Sequence, residues 1–131
     1  MAKPKKILVI EDERPLMEAV EAKLTRLGME VITSQSVQEA LTKIENEMIL
    51  DLVWLDHYLL GEETGIVFIE RVKGMERFRN VPIILVSNTA SDDKVLVYKK
   101  LGVRKCYLKS DVRLDAIIDD IKEITNLRLA N

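Results

Sequence analysis

Apolar residues gather along the chain in five short, β-branched runs: 7–10 (ILVI), 29–33 (MEVIT), 52–55 (LVWL), 83–86 (IILV) and 106–108 (CYL). Three of them are continuous rather than alternating, the pattern of strands covered on both faces in a parallel sheet. The stretches between them carry helical period. Pro15 suits a first helical position, and Leu16, Val20, Leu24 and Leu27 share one face up to Gly28. Ser36 and Glu39 have the spacing of a capping box ahead of an inner stripe of Val37, Leu41 and Ile44. Ile66, Ile69 and Val72 make a third stripe, and Val95, Tyr98 and Leu101, stopped by Gly102, a fourth. The fifth, Leu114, Ile117, Ile118, Ile121 and Ile124, is the clearest. Residues 45–50 (ENEMIL) read as a loop or a frayed helix end.

Strand followed by helix, five times over, predicts parallel strands joined by right-handed helical crossovers. The expected class is α/β, a doubly wound five-stranded parallel sheet with helices on both faces. At 131 residues, with no linker or low-complexity segment, the chain is expected to form a single domain over 1–131.

Charge narrows the partners. Twenty basic residues against 22 acidic ones give a net charge of -2, with no electrostatic footprint for nucleic acid or an anionic membrane. One cysteine, Cys106, rules out an internal disulfide, and a single histidine leaves no zinc set. Neither a membrane-length apolar stretch nor a signal-peptide core is present, so a cytoplasmic protein without membrane insertion is expected.

In open α/β sheets, ligands sit beyond the carboxyl ends of the strands. The residues that follow the apolar runs are therefore the informative ones. Glu11 and Asp12 follow the first, Asp56 the third, Ser87 the fourth and Lys109 the fifth. Taken alone, each has a plain structural explanation: acidic residues suit a helix N-terminus, and Ser is a common turn residue. Together they put three carboxylates, a hydroxyl and an ammonium on one rim. Carboxylates about 4 Å apart repel by roughly 4 kcal/mol per pair at an effective dielectric of 20. Such a cluster calls for a cation, and Mg2+ suits it, because it takes oxygen ligands and needs few protein carboxylates.

The segments "VIEDE", "DLVWLD", "IILVSN" and "YLKS", each ending an expected strand, occur in an order and spacing that resemble the receiver domain of two-component response regulators. The resemblance covers about residues 5 to 127. It implies the flavodoxin-like strand order 2-1-3-4-5 of the chemotaxis regulators, an order the handful of motifs does not itself supply. It further implies that Glu11 and Asp12 hold Mg2+ together with Asp56, and that Asp56 accepts a phosphoryl group from a sensor histidine kinase or phosphotransfer protein. Ser87 would be the switch hydroxyl and Lys109 the ammonium that pairs with the phosphate. Such a domain catalyses its own phosphorylation and dephosphorylation without turning over a free substrate. Its readout face for an output protein would span about residues 91–126. No DNA-binding motif lies within the sequence, so the output is expected to be a protein contact, unless the chain is part of a longer regulator.

Several positions depart from the family pattern. The usual aromatic three places before the lysine is Cys106, and Tyr107 comes one step later, where strand alternation turns its ring to the opposite face. The usual proline after the lysine is Ser110, and Ser110 or Asp111 is expected to cap the fifth helix. Leu60 replaces a proline in a loop that looks one residue longer, and Tyr58 and Asn88 are candidates for tuning the reaction. His57 is expected to be an exposed loop residue, and Trp54 a core residue whose indole N–H needs a partner.

Three other functions compete. A pseudo-receiver that binds partners without taking phosphate is weakly suggested by Cys106 and Ser110, and opposed more strongly by the intact Glu11, Asp12, Asp56 and Lys109. A nucleotide- or flavin-binding domain would want a glycine-rich first loop, and "EDERP" has none. A haloacid-type phosphatase would place its nucleophile after the first strand and need a cap.

Overall fold

The computed structural model describes residues 3–57, 64–88 and 91–130, with the backbone alone at 92 and 127–130. Tyr58 and Leu60 lie outside the described residues. The elements are β1 (Lys6–Ile10), α1 (Arg14–Arg26), β2 (Glu30–Ser34), α2 (Val37–Ile44), β3 (Leu52–Leu55), α3 (Gly65–Lys73), β4 (Ile83–Ser87), α4 (Asp92–Lys100), β5 (Lys105–Leu108) and α5 (Leu114–Ala130). The strands form one parallel sheet in the order β2-β1-β3-β4-β5.

The continuous apolar runs are the central strands, and both their faces are covered. Leu8, Ile10, Val53, Leu55, Ile83 and Leu85 pack against α2, α3 and α4 through Val37, Ala40, Ile44, Phe68, Ile69, Val72 and Tyr98. The alternate residues Ile7, Val9, Leu52, Trp54, Ile84 and Val86 pack against α1 and α5 through Val20, Leu24, Ile117, Ile121 and Ile124. Each such side chain, fully buried, favours the fold by about 1.5–3 kcal/mol relative to exposure.

Local chemistry sets the element ends. Pro15 occupies the first turn of α1, where its missing N–H costs no hydrogen bond. Gly28, at φ 84°, takes the left-handed conformation that lets the chain leave α1. Leu27, expected on the inner stripe, caps α1 instead and is 45% exposed. Ser36 caps α2 by accepting from the Glu39 N–H at 3.1 Å, as its spacing suggested. Glu39 reaches back one residue further than the capping box would have it, to the N–H of Gln35. The segment 45–50 is a loop held by Arg77, whose guanidinium donates to the carbonyls of Ile44, Glu45 and Glu47. That arginine is the middle residue of a short 3-10 turn, Glu76–Phe78, which adds Phe78 to the core and left no periodic trace in the sequence.

The expected cap of α5 is not found. Lys109 to Asp111 form a turn, with Asp111 N–H donating to Leu108, and the helix is entered at Arg113, whose carbonyl accepts from Ala116 and Ile117. Val112 and Arg113 lie between that turn and Leu114, so neither Ser110 nor Asp111 occupies the residue just before the helix. Among the described residues no helix is long and apolar enough to cross a membrane.

Candidate functional site

Parallel pairing brings the carboxyl ends of β1, β3, β4 and β5 to one edge. The backbone fixes it: Asp56 N–H donates to Ile10 at 3.1 Å and Lys109 N–H to Ser87 at 2.9 Å, so the residues just past each strand lie side by side. Carboxylate oxygens of Glu11, Asp12 and Asp56 all lie within 4.8 Å of one another. Glu11 is fully buried and Asp56 nearly so, while Asp12 is half-buried.

Lys109 enters this cluster from β5. Its ammonium stands 2.9 Å from Glu11 Oε2, 3.1 Å from Asp56 Oδ2 and 3.3 Å from Glu13 Oε2. Burial alone would pull the ammonium down, but the hydrogen bond to Glu11 and the charge of Asp56 outweigh it, and its pKa sits above the ordinary lysine value. Burial, with the Asp56 charge adding to it, pushes Glu11 up to about 7 against the opposing pull of Lys109. Asp12 is raised for the same two reasons, burial first and Asp56 second. One ammonium among three carboxylates leaves an excess of negative charge.

Glu13, at the mouth of the site, behaves differently. It accepts from Asn88 Nδ2 at 2.7 Å, and this bond, with Lys109 assisting, holds its carboxyl below the usual range. Glu13 and Asn88 thereby tie the loop after β1 to the loop after β4. Sequence reasoning named Asn88 as a tuning candidate and passed over Glu13, whose partners are 75 and 96 positions away. Ser87 Oγ is buried at the end of β4 and has no hydrogen-bond partner among the described residues. A buried hydroxyl with nothing to bond costs about 1–3 kcal/mol, so its position requires explanation.

His57 is a correction. It is buried, not exposed, and its Nδ1 shares a hydrogen bond with the Tyr98 hydroxyl, the rings meeting edge to face. Burial, aided by Lys94 and opposed by Asp56, lowers its pKa. The pairing spans 41 positions and reaches from β3 to the middle of α4. Gly65 leaves the room: a Cβ there would stand 2.9 Å from the Tyr98 hydroxyl and 3.0 Å from the Asp56 carbonyl.

At β5 the alternation holds. Cys106 packs toward α2, α3 and α4, and Tyr107 toward α1 and α5. The Tyr107 hydroxyl donates to Asp120 at 2.6 Å, which, with burial as the larger cause, raises its own pKa and, with Lys105 also bonded, lowers that of Asp120. Burial raises the Cys106 thiol. Trp54 is fully buried, and its indole donates to Glu11 Oε1 at 3.3 Å, the partner the sequence said it needed.

A parallel sheet with an acidic cluster, a lysine and a hydroxyl at the carboxyl ends of its strands is the arrangement that the receiver resemblance implies. The chain belongs to the response regulator receiver domain family, whose pattern matches residues 7–122. It is 26% identical over 105 residues to the chemotaxis protein CheY1 of Helicobacter pylori, covering 79% of this chain and 84% of that one. It is 30% identical over 89 residues to the phosphate regulon transcriptional regulatory protein PhoB of Escherichia coli, which is 68% of this chain and 38% of PhoB. Among solved structures, a CheY-like receiver domain protein from Methanospirillum hungatei superposes with a TM-score of 0.86 at 24% identity, covering 97% and 98% of the two chains, a likeness of fold. A response regulator from Thermotoga maritima does so with a TM-score of 0.77 at 28% identity, covering 94% and 98%.

Proposed function

We propose that this receiver takes a phosphoryl group on Asp56 in a Mg2+-dependent reaction and that the modified state alters its affinity for a protein partner. The observation that carries this reading is the acidic triad bridged by Lys109, together with the nearby buried Ser87 hydroxyl, which has no hydrogen-bond partner among the described residues. The donor set is all oxygen, carries excess negative charge and suits a hard divalent cation. Asp12 and Asp56 would hold the metal directly, with Glu11 behind them; when bound, Mg2+ would offset charge on the phosphoryl oxygens.

Asp56 is then the nucleophile. One of its oxygens attacks phosphorus, the bond from phosphorus to the donor's nitrogen or oxygen breaks, and an aspartyl phosphate is left on the chain. The Lys109 ammonium already touches Asp56 and follows the charge as it moves onto the phosphoryl oxygens. Ser87 Oγ supplies a hydrogen-bond donor that has no other engagement among the described residues. The chain performs this on itself and turns over no free substrate. The donor would be a histidine kinase or phosphotransfer protein, the output surface α4, β5 and α5, and the setting cytoplasmic. Nothing in the site favours the interaction module that never takes phosphate.

The test is intact-mass measurement after incubation with Mg2+ and acetyl phosphate, beside an Asp56→Asn variant. A single phosphoryl adduct is expected, absent without metal and absent in the variant. An adduct that persists in Asp56→Asn, or none in the native chain even as a beryllium fluoride complex, would overturn the proposal.

A further inference from the structure

Glu11 is held through both of its carboxylate oxygens. Its Oε2 accepts from Lys109 Nζ at 2.9 Å and from the Glu13 backbone N–H at 3.1 Å. Its Oε1 accepts from the Trp54 indole N–H at 3.3 Å. A buried carboxylate and a buried indole N–H are each costly when unpaired, and here each satisfies the other. The separation is at the long end for such a bond, but in the ionised form that Lys109 favours the carboxylate is a charged acceptor shielded from water, and both raise its weight.

Trp54 is also a rigid donor. It lies inside β3, paired with Val9 on one side and Ile84 on the other, and is fully buried among Ile7, Val9, Ile84 and Val86. Its ring cannot turn without disturbing the centre of the sheet. A phenylalanine would fill much of this volume without offering a hydrogen to Glu11, so packing alone does not account for the indole.

Resting on the function proposed above, we infer that Trp54 is a positioning residue of the acceptor site: its indole N–H holds Glu11 so that the other carboxylate oxygen faces Lys109 and the group stays within reach of Asp12 and Asp56. Trp54 acts through Glu11. It is the sole tryptophan of the chain, so the emission comes from this one ring and responds to its surroundings, Glu11 among them.

The test replaces Trp54 with 3-benzothienylalanine, in which sulfur takes the place of the N–H and the ring keeps its size, and measures Mg2+ binding by calorimetry. Trp54→Phe is run beside it, and urea unfolding of each variant verifies the fold. Losing one charge-assisted hydrogen bond is expected to weaken Mg2+ binding about five- to tenfold in both variants, with phosphorylation by acetyl phosphate slowed alongside. The native emission is expected to change on adding Mg2+ and again with beryllium fluoride. Native or tighter Mg2+ affinity in the folded sulfur variant overturns the inference while leaving the proposed function standing, as does a native emission indifferent to a metal that calorimetry shows to bind. A native chain that binds neither Mg2+ nor beryllium fluoride overturns both.

Discussion

The ring of His57, next in sequence to Asp56, is hydrogen-bonded to the hydroxyl of Tyr98 in the middle of α4. The segment just past β3 and the fourth helix are therefore fastened to each other through buried polar groups, and not only through apolar packing. Tyr98→Phe removes this bond at constant ring size. It is expected to cost about 1–2 kcal/mol in urea unfolding, the weight of a buried hydrogen bond whose partner stays behind. An unchanged midpoint would mean that His57 is satisfied equally well without the hydroxyl.

Lys109→Met keeps the apolar stem of the side chain and deletes the ammonium shared by Glu11, Glu13 and Asp56. Removing one member of a buried ion cluster exposes the others to their mutual repulsion. A loss of about 3 kcal/mol is expected without metal, partly recovered on adding Mg2+. The measurement is urea unfolding with and without the cation, and equal stability in its absence would count against the charge assignment.

Gly65→Ala places a methyl 2.9 Å from the Tyr98 hydroxyl, 3.0 Å from the Asp56 carbonyl and 3.2 Å from Leu55 Cδ2. Two of these neighbours are held by the sheet and by a buried hydrogen bond. A destabilisation of about 1–3 kcal/mol is expected, together with weaker Mg2+ binding. Gly74→Ala, whose Cβ would meet nothing closer than 3.4 Å, is expected to be close to neutral.

The Tyr107–Asp120 bond gives a pH signature. Asp120 is held below its ordinary value first by the Tyr107 hydroxyl and then by Lys105. A lowered folded-state pKa adds stability above the unfolded value of about 4, and that stability is lost as pH falls through the folded value. Tyr107→Phe is thus expected to be less stable than the native chain above about pH 5, with a gap that narrows below about pH 4. A gap that is constant across this range would assign the effect to packing.

How much of this was written in the sequence follows from the range of each interaction. The central strands were legible because their β-branched runs are continuous, and α5 because its stripe of Ile117, Ile118, Ile121 and Ile124 is unbroken. The nearness of Glu11, Asp12, Asp56 and Lys109 followed from their common place after a strand, given a parallel sheet. The burial of His57 was not legible, because its partner lies 41 residues away and an isolated loop histidine is most simply solvated. Leu27 failed for the opposite reason: helical period continued through a residue that already serves as the cap of α1. Glu13 was visible as part of an acidic run, but only the folded loops bring Asn88 to it.

The bond between Glu11 and Lys109 joins positions 98 apart. As a chain emerges from a ribosome at about 5–20 residues per second, the acidic residues appear several seconds before the lysine that balances them. Through that interval the first four strands can pair, yet their carboxylates face one another with no internal counter-charge. A chain halted or cleaved ahead of β5 would lack both the ammonium of the cluster and α5, whose Ile117, Ile118, Ile121 and Ile124 cover one face of the sheet. The cluster is thereby complete only in molecules whose last strand has docked.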